Sequence, residues 1–177
     1  MQLANFVEAL ELFRNQVVNE AKANLRSLGK GGGTLEQSIQ GTDVRVSEKS
    51  LEFEIKMVLY GLFQDKGVSG VKKKYNTPYS YKDKMPPPSK LDKWIVRKGI
   101  APRNKGKFTG RKISTVGFQK SIQFLIARSI FFNGIRPSLF FTAPFRKHAR
   151  DLPSLLETAF ALDTEKFLEF VTKQQMK

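Results

Sequence analysis

Val44-Arg45-Val46-Ser47-Glu48-Lys49-Ser50-Leu51-Glu52-Phe53-Glu54-Ile55-Lys56-Met57-Val58-Leu59 is the stretch whose pattern decides the fold class. Leu51, Phe53, Ile55, Met57 and Leu59 alternate with Glu52, Glu54, Lys56 and Val58, a period of two broken only at Val58. That period predicts a strand with one buried and one wet face. Val44 to Val46 is a second run and the polar tetrad between them reads as a turn, so the stretch is a β-hairpin. A two-stranded ribbon is marginally stable alone, so helices must cover it or strands of a neighbouring subunit must extend it. Phe53 and Ile55 are therefore candidates for a subunit interface. Glu52 and Glu54 share the wet face; a carboxylate pair can do acid–base work, but no cleft is indicated around them.

Helical patterns flank the hairpin. Leu3, Phe6, Val7, Leu10, Phe13, Val17, Ala21 and Leu25 recur at three-and-four spacing and predict a helix from about 2 to 28. Glu8, Glu11, Arg14, Asn15, Glu20, Lys22 and Asn24 fall on its solvent side. Gly29, Gly31, Gly32 and Gly33 stop it. The run 31–34 lacks the Gly-Lys-Ser/Thr ending of a phosphate loop and follows a helix instead of a strand, so it reads as a flexible hinge. Further on, residues 117–133 are helical in spacing, with Gly134 as a left-handed stop. Leu139-Phe140-Phe141 predicts a short edge strand, and Pro144 opens a helical turn through Arg150. A last helix runs from about 151 to 173, with Leu155, Leu156, Ala159, Phe160, Leu162, Phe167, Phe170 and Val171 inward. Asp163-Thr164 kinks it or caps a separate final helix. The fold class is α+β: a long N-terminal helix, a small antiparallel sheet built on the hairpin, two or three further helices and long basic loops, in a single domain over 1–177.

With 177 residues and 40% hydrophobic content, the chain can bury about two thirds of its unfolded surface, which excludes disorder throughout. The absence of cysteine excludes a disulfide framework and a thiol nucleophile, and the single His148 has no second histidine or cysteine at metal spacing. No cofactor or metal is expected. Near Met1 no basic run precedes a long apolar block, and no stretch of about 18 apolar residues occurs, so no membrane segment is expected.

Charge is unevenly placed. The chain carries +15, and +13 of it lies between Lys66 and Lys112, where Asp83 and Asp92 are the only acids. A polyanionic neighbour is the physical implication. Residues 72–88 have no apolar periodicity, and Met85-Pro86-Pro87-Pro88 is incompatible with helix or central strand, so a mobile arm or long loop is expected, part of a basic loop or arm over about 66–112. Ser89 caps a short helix carrying Leu91, Trp94 and Ile95, and residues 100–112 form a second basic loop. Lys72, Lys73, Lys74, Arg103, Lys105 and Lys107 are the candidate contacts to a partner or DNA. Tyr79 and Tyr81 join them as apolar anchors, and Trp94 is a third interface candidate.

Tyr60-Gly61, Asp65-Lys66-Gly67-Val68 and Gly70, then Pro88 through Trp94-Ile95 and Lys98-Gly99-Ile100, then Gly106-Lys107-Phe108, Ser129-Ile130, Gly134-Ile135-Arg136-Pro137 and Phe140-Phe141 form a series of short patterns. In that order they resemble the tailed-bacteriophage neck and tail-completion proteins, over roughly residues 50–142. The resemblance implies a virion component, assembled in the host cytoplasm, that forms a six- or twelve-fold ring at the head–tail junction around the DNA channel. Its partners would be adjacent portal, connector or tail proteins and packaged double-stranded DNA. The Lys72-Lys73-Lys74 run and the triple proline are not part of that likeness.

Two other functions compete. A monomeric nucleic-acid-binding protein would stack Tyr75, Tyr79, Tyr81 and Phe108 on bases among phosphate-neutralising lysines. An enzyme would need His148 as a base, yet no Ser, Asp or Glu partner is indicated. The expectation is a structural protein without catalytic residues.

Overall fold

The structure is a computed structural model that describes residues 3–47, 50–97, 100, 103–104, 107–108 and 116–175. In chain order its elements are α1 (Ala4–Ser27), α2 (Thr34–Ser38), β1 (Gln40–Gly41), β2 (Arg45–Val46), β3 (Leu51–Glu52), β4 (Ile55–Lys56) and α3 (Tyr60–Lys66). A 3-10 turn (Pro88–Leu91), α4 (Asp92–Arg97), β5 (Arg103–Asn104), β6 (Lys107–Phe108), α5 (Val116–Asn133) and α6 (Thr142–Gln175) follow. The described chain is mostly helical with short two-stranded antiparallel sheets, consistent with α+β. It divides into two compact units, one of Met1–Asp65 with Leu139–Lys177, the other Lys66–Ser138.

In the first unit α1 and α6 run antiparallel. Leu10, Phe13, Val17, Ala21 and Leu25 of the predicted stripe are buried, with Ala9 and Val18 beside them, while Leu3, Phe6 and Val7 are half-buried. Glycine ends α1 in a Schellman turn: Lys30 N–H reaches the Leu25 carbonyl at 2.9 Å, Gly29 N–H reaches Arg26 at 2.9 Å, and Gly29 takes φ +64°. No side chain of the local sequence caps the other end. Instead Asp163 of α6 accepts the Asn5 and Phe6 N–H groups at 3.0 and 2.9 Å. A carboxylate there satisfies two orphan donors and sits at the positive pole of the helix dipole.

Asp163 thus lies inside a single helix. No separate final helix starts at 163–164 and no separate turn ends at Arg150: α6 continues through both and through Pro153. Proline removes one helical hydrogen bond at a cost of about 3 kcal/mol, and the long seam with α1 offsets it. The expected inward face of α6 is only partly right. Ala159 is buried, whereas Phe160, Leu162, Phe167 and Phe170 are 51, 45, 41 and 59% exposed. For Phe167 and Phe170 the cause is length: α1 starts level with Asp163, so residues 164–175 extend about 18 Å beyond it, at 1.5 Å per residue.

The hairpin exists, but its long strand is divided. β2 pairs with β3 (Arg45↔Glu52, Val46↔Leu51), and the chain then swings so that β4 pairs with β1 (Gln40↔Lys56, Gly41↔Ile55). Thr42 makes the switch. Its N–H donates to the Glu54 carbonyl at 2.8 Å and its Oγ1 accepts the Glu54 N–H at 2.8 Å, standing in for a ladder rung. Helices of the same chain cover the apolar face. Phe53 meets Phe13 edge-on at 6.0 Å, and Ile55, Met57 and Val58 pack on the core of Val18, Ala21, Leu25, Leu35, Ile39 and Phe140.

Four further expectations in this unit are corrected. Leu59 ends no strand: it is 72% exposed and leads into α3. Leu139 to Phe141 is no edge strand, because Asp65 takes hold of it. The Asp65 carboxylate accepts the Phe141 and Thr142 N–H groups at 2.9 and 3.1 Å and the Thr142 hydroxyl, capping α6. The glycine run 31–34 is closed by buried Glu36, which accepts Gly32 N–H at 2.6 Å and pairs with Arg26 at 2.5 Å. Arg14, expected in solvent, is buried with Nη1 donating to the Thr42 carbonyl at 2.6 Å.

In the second unit α5 packs on the 3-10 turn and α4, around fully buried Ile95 and Ala127, and the Gln123 amide donates to Asp92. α5 has its partners in α4 and the 3-10 turn, and α6 has its partner in α1. The second basic loop contains a two-stranded pair, Arg103↔Phe108 and Asn104↔Lys107.

Candidate polyanion interface

The turn bearing Lys72, Lys73 and Lys74 is built from a crossing of glycines. Val68 and Ile135 exchange both backbone hydrogen bonds at 2.8 Å, and Ser69 pairs on its other side with Tyr79 and Tyr81, again at 2.8 Å. Where 68–70 passes 132–135 there is no room for a side chain. A Cβ on Gly134 would lie 2.1 Å from the Val68 carbonyl oxygen, and one on Gly70 would lie 2.2 Å from that of Phe132. Gly134 also takes φ +72°, the left-handed stop that the sequence predicts.

The chain leaving that crossing caps α5. Val71 N–H donates to the Phe131 carbonyl at 3.0 Å, and Lys72 and Lys73 N–H donate to that of Phe132 at 2.9 and 3.1 Å. Gly70 N–H closes the turn on the Lys73 carbonyl at 2.8 Å. The Ser69 hydroxyl donates to the Tyr75 carbonyl and accepts its N–H, and Thr77 reaches the Gly67 carbonyl at 2.9 Å. Residues 72–81, expected as the start of a mobile arm or long loop, form a loop tied down by main-chain hydrogen bonds together with the Ser69 and Thr77 hydroxyls. No periodic pattern announced this, because turns held by main-chain bonds need none.

Aromatic rings lie beneath the cations. Lys72 Nζ stands 5.0 Å from the Phe132 centroid, the Arg128 guanidinium 5.6 Å from the same centroid, and Lys73 Nζ 5.6 Å from that of Tyr75. Such contacts are worth about 0.5 to 1 kcal/mol each at exposed sites and fix where the charge sits. Tyr81 packs on Phe131 at 6.2 Å, and its burial raises its pKa above the ordinary phenol value. Tyr79 and Tyr81, expected as anchors for a partner, are half-buried in their own unit. The lysines remain outside: Lys72, Lys73, Lys74, Lys82, Lys84, Arg128 and Arg136 are exposed, and among the described residues none makes an ion pair. The whole unit holds 18 basic residues against Asp83 and Asp92, a net +16, while the first unit holds 13 basic and 14 acidic ones, a net −1.

The other candidates are placed as follows. Arg103 and Lys107 lie on β5 and β6 and Trp94 on α4, with side chains outside the described part; Lys105 lies outside the described residues altogether. His148, expected without a carboxylate partner, has one. Its Nε2 is 2.8 Å from Glu20 Oε2, which Lys147 also approaches at 3.0 Å. Hydrogen bonds from Lys147 and then His148 hold the Glu20 carboxyl below the usual range, and the cluster ties α6 to α1. Glu54 pairs with Lys56 at 3.0 Å on the wet face of the sheet. Among the described residues no group of three or more His, Cys, Asp or Glu could hold a metal ion, and no helix is long and apolar enough to cross a membrane.

Comparison with known protein families, with curated proteins and with solved structures found no match.

Proposed function

We propose that the chain is a structural virion protein, a ring-forming connector subunit of the phage head–tail junction. The division of charge carries the reading: a near-neutral helical unit suited to meeting copies of itself, and a unit of net +16 suited to a polyanion. The residues behind the resemblance to neck and tail-completion proteins also have joint structural roles. Gly67, Val68 and Gly70 cross Gly134 and Ile135 in one unit, and Asp65 caps α6 beside Phe140 and Phe141 in the other. Exposed Phe160, Phe167, Leu168 and Phe170 on α6 supply apolar surface of the kind that marks protein contacts.

The test is the mass of purified protein freed of nucleic acid, by light scattering and native mass spectrometry, with negative-stain images. A closed ring of six or twelve copies is expected. A monomer at every concentration, still taking up nucleic acid, would sink the ring and leave the alternative of a monomeric nucleic-acid-binding protein, which the same +16 favours.

A further inference from the structure

We infer that Lys72, Lys73, Lys74 and Arg128 form a fixed contact surface for the phosphate backbone of double-stranded DNA, read by charge and not by base sequence. The choice of duplex DNA as the polyanion rests on the proposed connector role; the location of the surface rests on geometry alone.

Three observations place it. The lysines stand on a turn whose N–H groups of residues 70–73 are engaged with main-chain carbonyls, so their positions are set before any partner arrives. Lys72 and Arg128 converge on one ring, Phe132, with no described carboxylate paired to either. Cations gathered around one ring without acids to pair them are relieved by an extended polyanion, whose successive phosphates can meet ammonium and guanidinium separately. The unit around them adds no competing acid apart from Asp83 and Asp92. A duplex offers one negative charge about every 1.7 Å of axis, a match for a surface of one sign. An ordinary protein surface carries both signs.

The aromatics decide between duplex and unpaired strand. Single-strand binders leave ring faces open for bases to stack on. Here Tyr81 lies on Phe131, Phe131 meets Phe132 at 5.4 Å, and Phe132 and Tyr75 carry cations above them. The rings serve as a floor under the charges, and the duplex backbone is the ligand that this floor suits.

The experiment measures binding of the full chain to a fluorescent duplex of arbitrary sequence between 50 and 200 mM salt, with poly-glutamate and a single strand of equal length as competitors. Wild type is expected to bind both of two unrelated duplexes equally and more tightly than the single strand. Changing Lys72, Lys73 and Lys74 together to Ser, or Arg128→Gln alone, should flatten the plot of log affinity against log salt by about 0.9 per lost contact. The far-ultraviolet circular dichroism of both variants should match wild type. Lys30→Ser with Arg146→Ser, in the first unit, should leave the plot unchanged. An unchanged slope in the Arg128 variant, or an equal loss in the first-unit variant, overturns the assignment. Poly-glutamate displacing the duplex at lower charge concentration overturns it in favour of an acidic protein partner. Particle mass, measured alongside, keeps the two readings apart: a ring without duplex binding defeats this inference only, and a monomer with it defeats only the ring.

Discussion

The two units solve the same problem, satisfying polar backbone at helix ends, with different chemistry. In the first, carboxylates do it at the helix N-termini, with Asp163 capping α1, Asp65 capping α6 and Glu36 closing the turn before α2, while the main chain closes the C-terminus of α1; Glu20 further ties Lys147 and His148 across the helix pair. In the second, main-chain groups do it, with residues 71–73 donating to the last carbonyls of α5. A carboxylate used as a strut also cancels a positive charge, so the second construction leaves its cations unneutralised. The near-neutrality of one unit and the +16 of the other are thus partly consequences of how each is held together.

The largest effects should come from breaking each unit at its own kind of joint. Phe140 is 1% exposed in the core between α1 and the sheet, and Phe140→Ala should cost about 3 to 5 kcal/mol in urea unfolding. Gly134→Ala combines left-handed strain with a backbone clash that no side chain can relieve, and roughly 2 to 5 kcal/mol is expected. Residue-resolved hydrogen exchange should place the first loss in α1 and α6 and the second in α5 and residues 67–81. Exchange that rises uniformly in both variants would mean that the units do not open separately, and the contrast between them would lose its energetic meaning.

A smaller effect depends on pH. Burial raises the pKa of Asp163, but the hydrogen bonds from Asn5 and Phe6, with nearby Lys166, outweigh it and leave the carboxyl below the ordinary aspartate value. Gly32 N–H and then Arg26 depress Glu36 likewise. A depressed folded-state pKa means stability that is present above the unfolded value, about 4, and lost as pH falls through the folded one. Acid should therefore loosen α1 and α6 before α5. Asp163→Asn should remove part of that dependence below pH 4 and lower the melting temperature at pH 7. Equal acid sensitivity of α5 in hydrogen exchange would contradict the carboxylate account.

Much of this was legible in the residues. The stripe of α1, its glycine stop, the extent of α5, the left-handed Gly134 and the antiparallel pairing of β2 with β3 all follow from local periodicity or local steric need. What was not legible depends on partners far away in sequence. Asp163 signalled a cap, and it is one, but for α1, whose Asn5 N–H lies 158 residues earlier. Arg14 reads as surface until the Thr42 carbonyl is placed beside it, and Leu139 to Phe141 reads as strand until Asp65 claims its N–H groups. For the basic interface, the lysines were named from charge alone. Their fixed geometry was not readable, since most of the bonds that hold residues 68–81 come from main-chain atoms common to every sequence, with the Ser69 and Thr77 hydroxyls adding the rest.

The smallest expected effect on stability tests the exposed end of α6. Periodicity places Phe160 inward, and a core phenylalanine would lose about 3 to 5 kcal/mol on truncation. In the structure Phe160 is 51% exposed, and Phe167, Leu168 and Phe170 beyond it are 41, 59 and 59% exposed on the part of α6 that outruns α1. Phe160→Ala should then cost less than about 0.5 kcal/mol, the level of ordinary surface changes. The same residues have a reason to be apolar if copies of the chain meet there, because an exposed cluster of this size is uncommon on a protein that works alone. Changing Phe167 and Phe170 together to Ser should leave the urea midpoint of the dispersed chain within the same narrow margin while shifting the light-scattering mass toward the monomer. A large loss of stability with no change in mass would put these side chains inside the fold. A normal midpoint with an intact ring would move the subunit contact elsewhere on the first unit, with the wet edge of the hairpin the next place to probe.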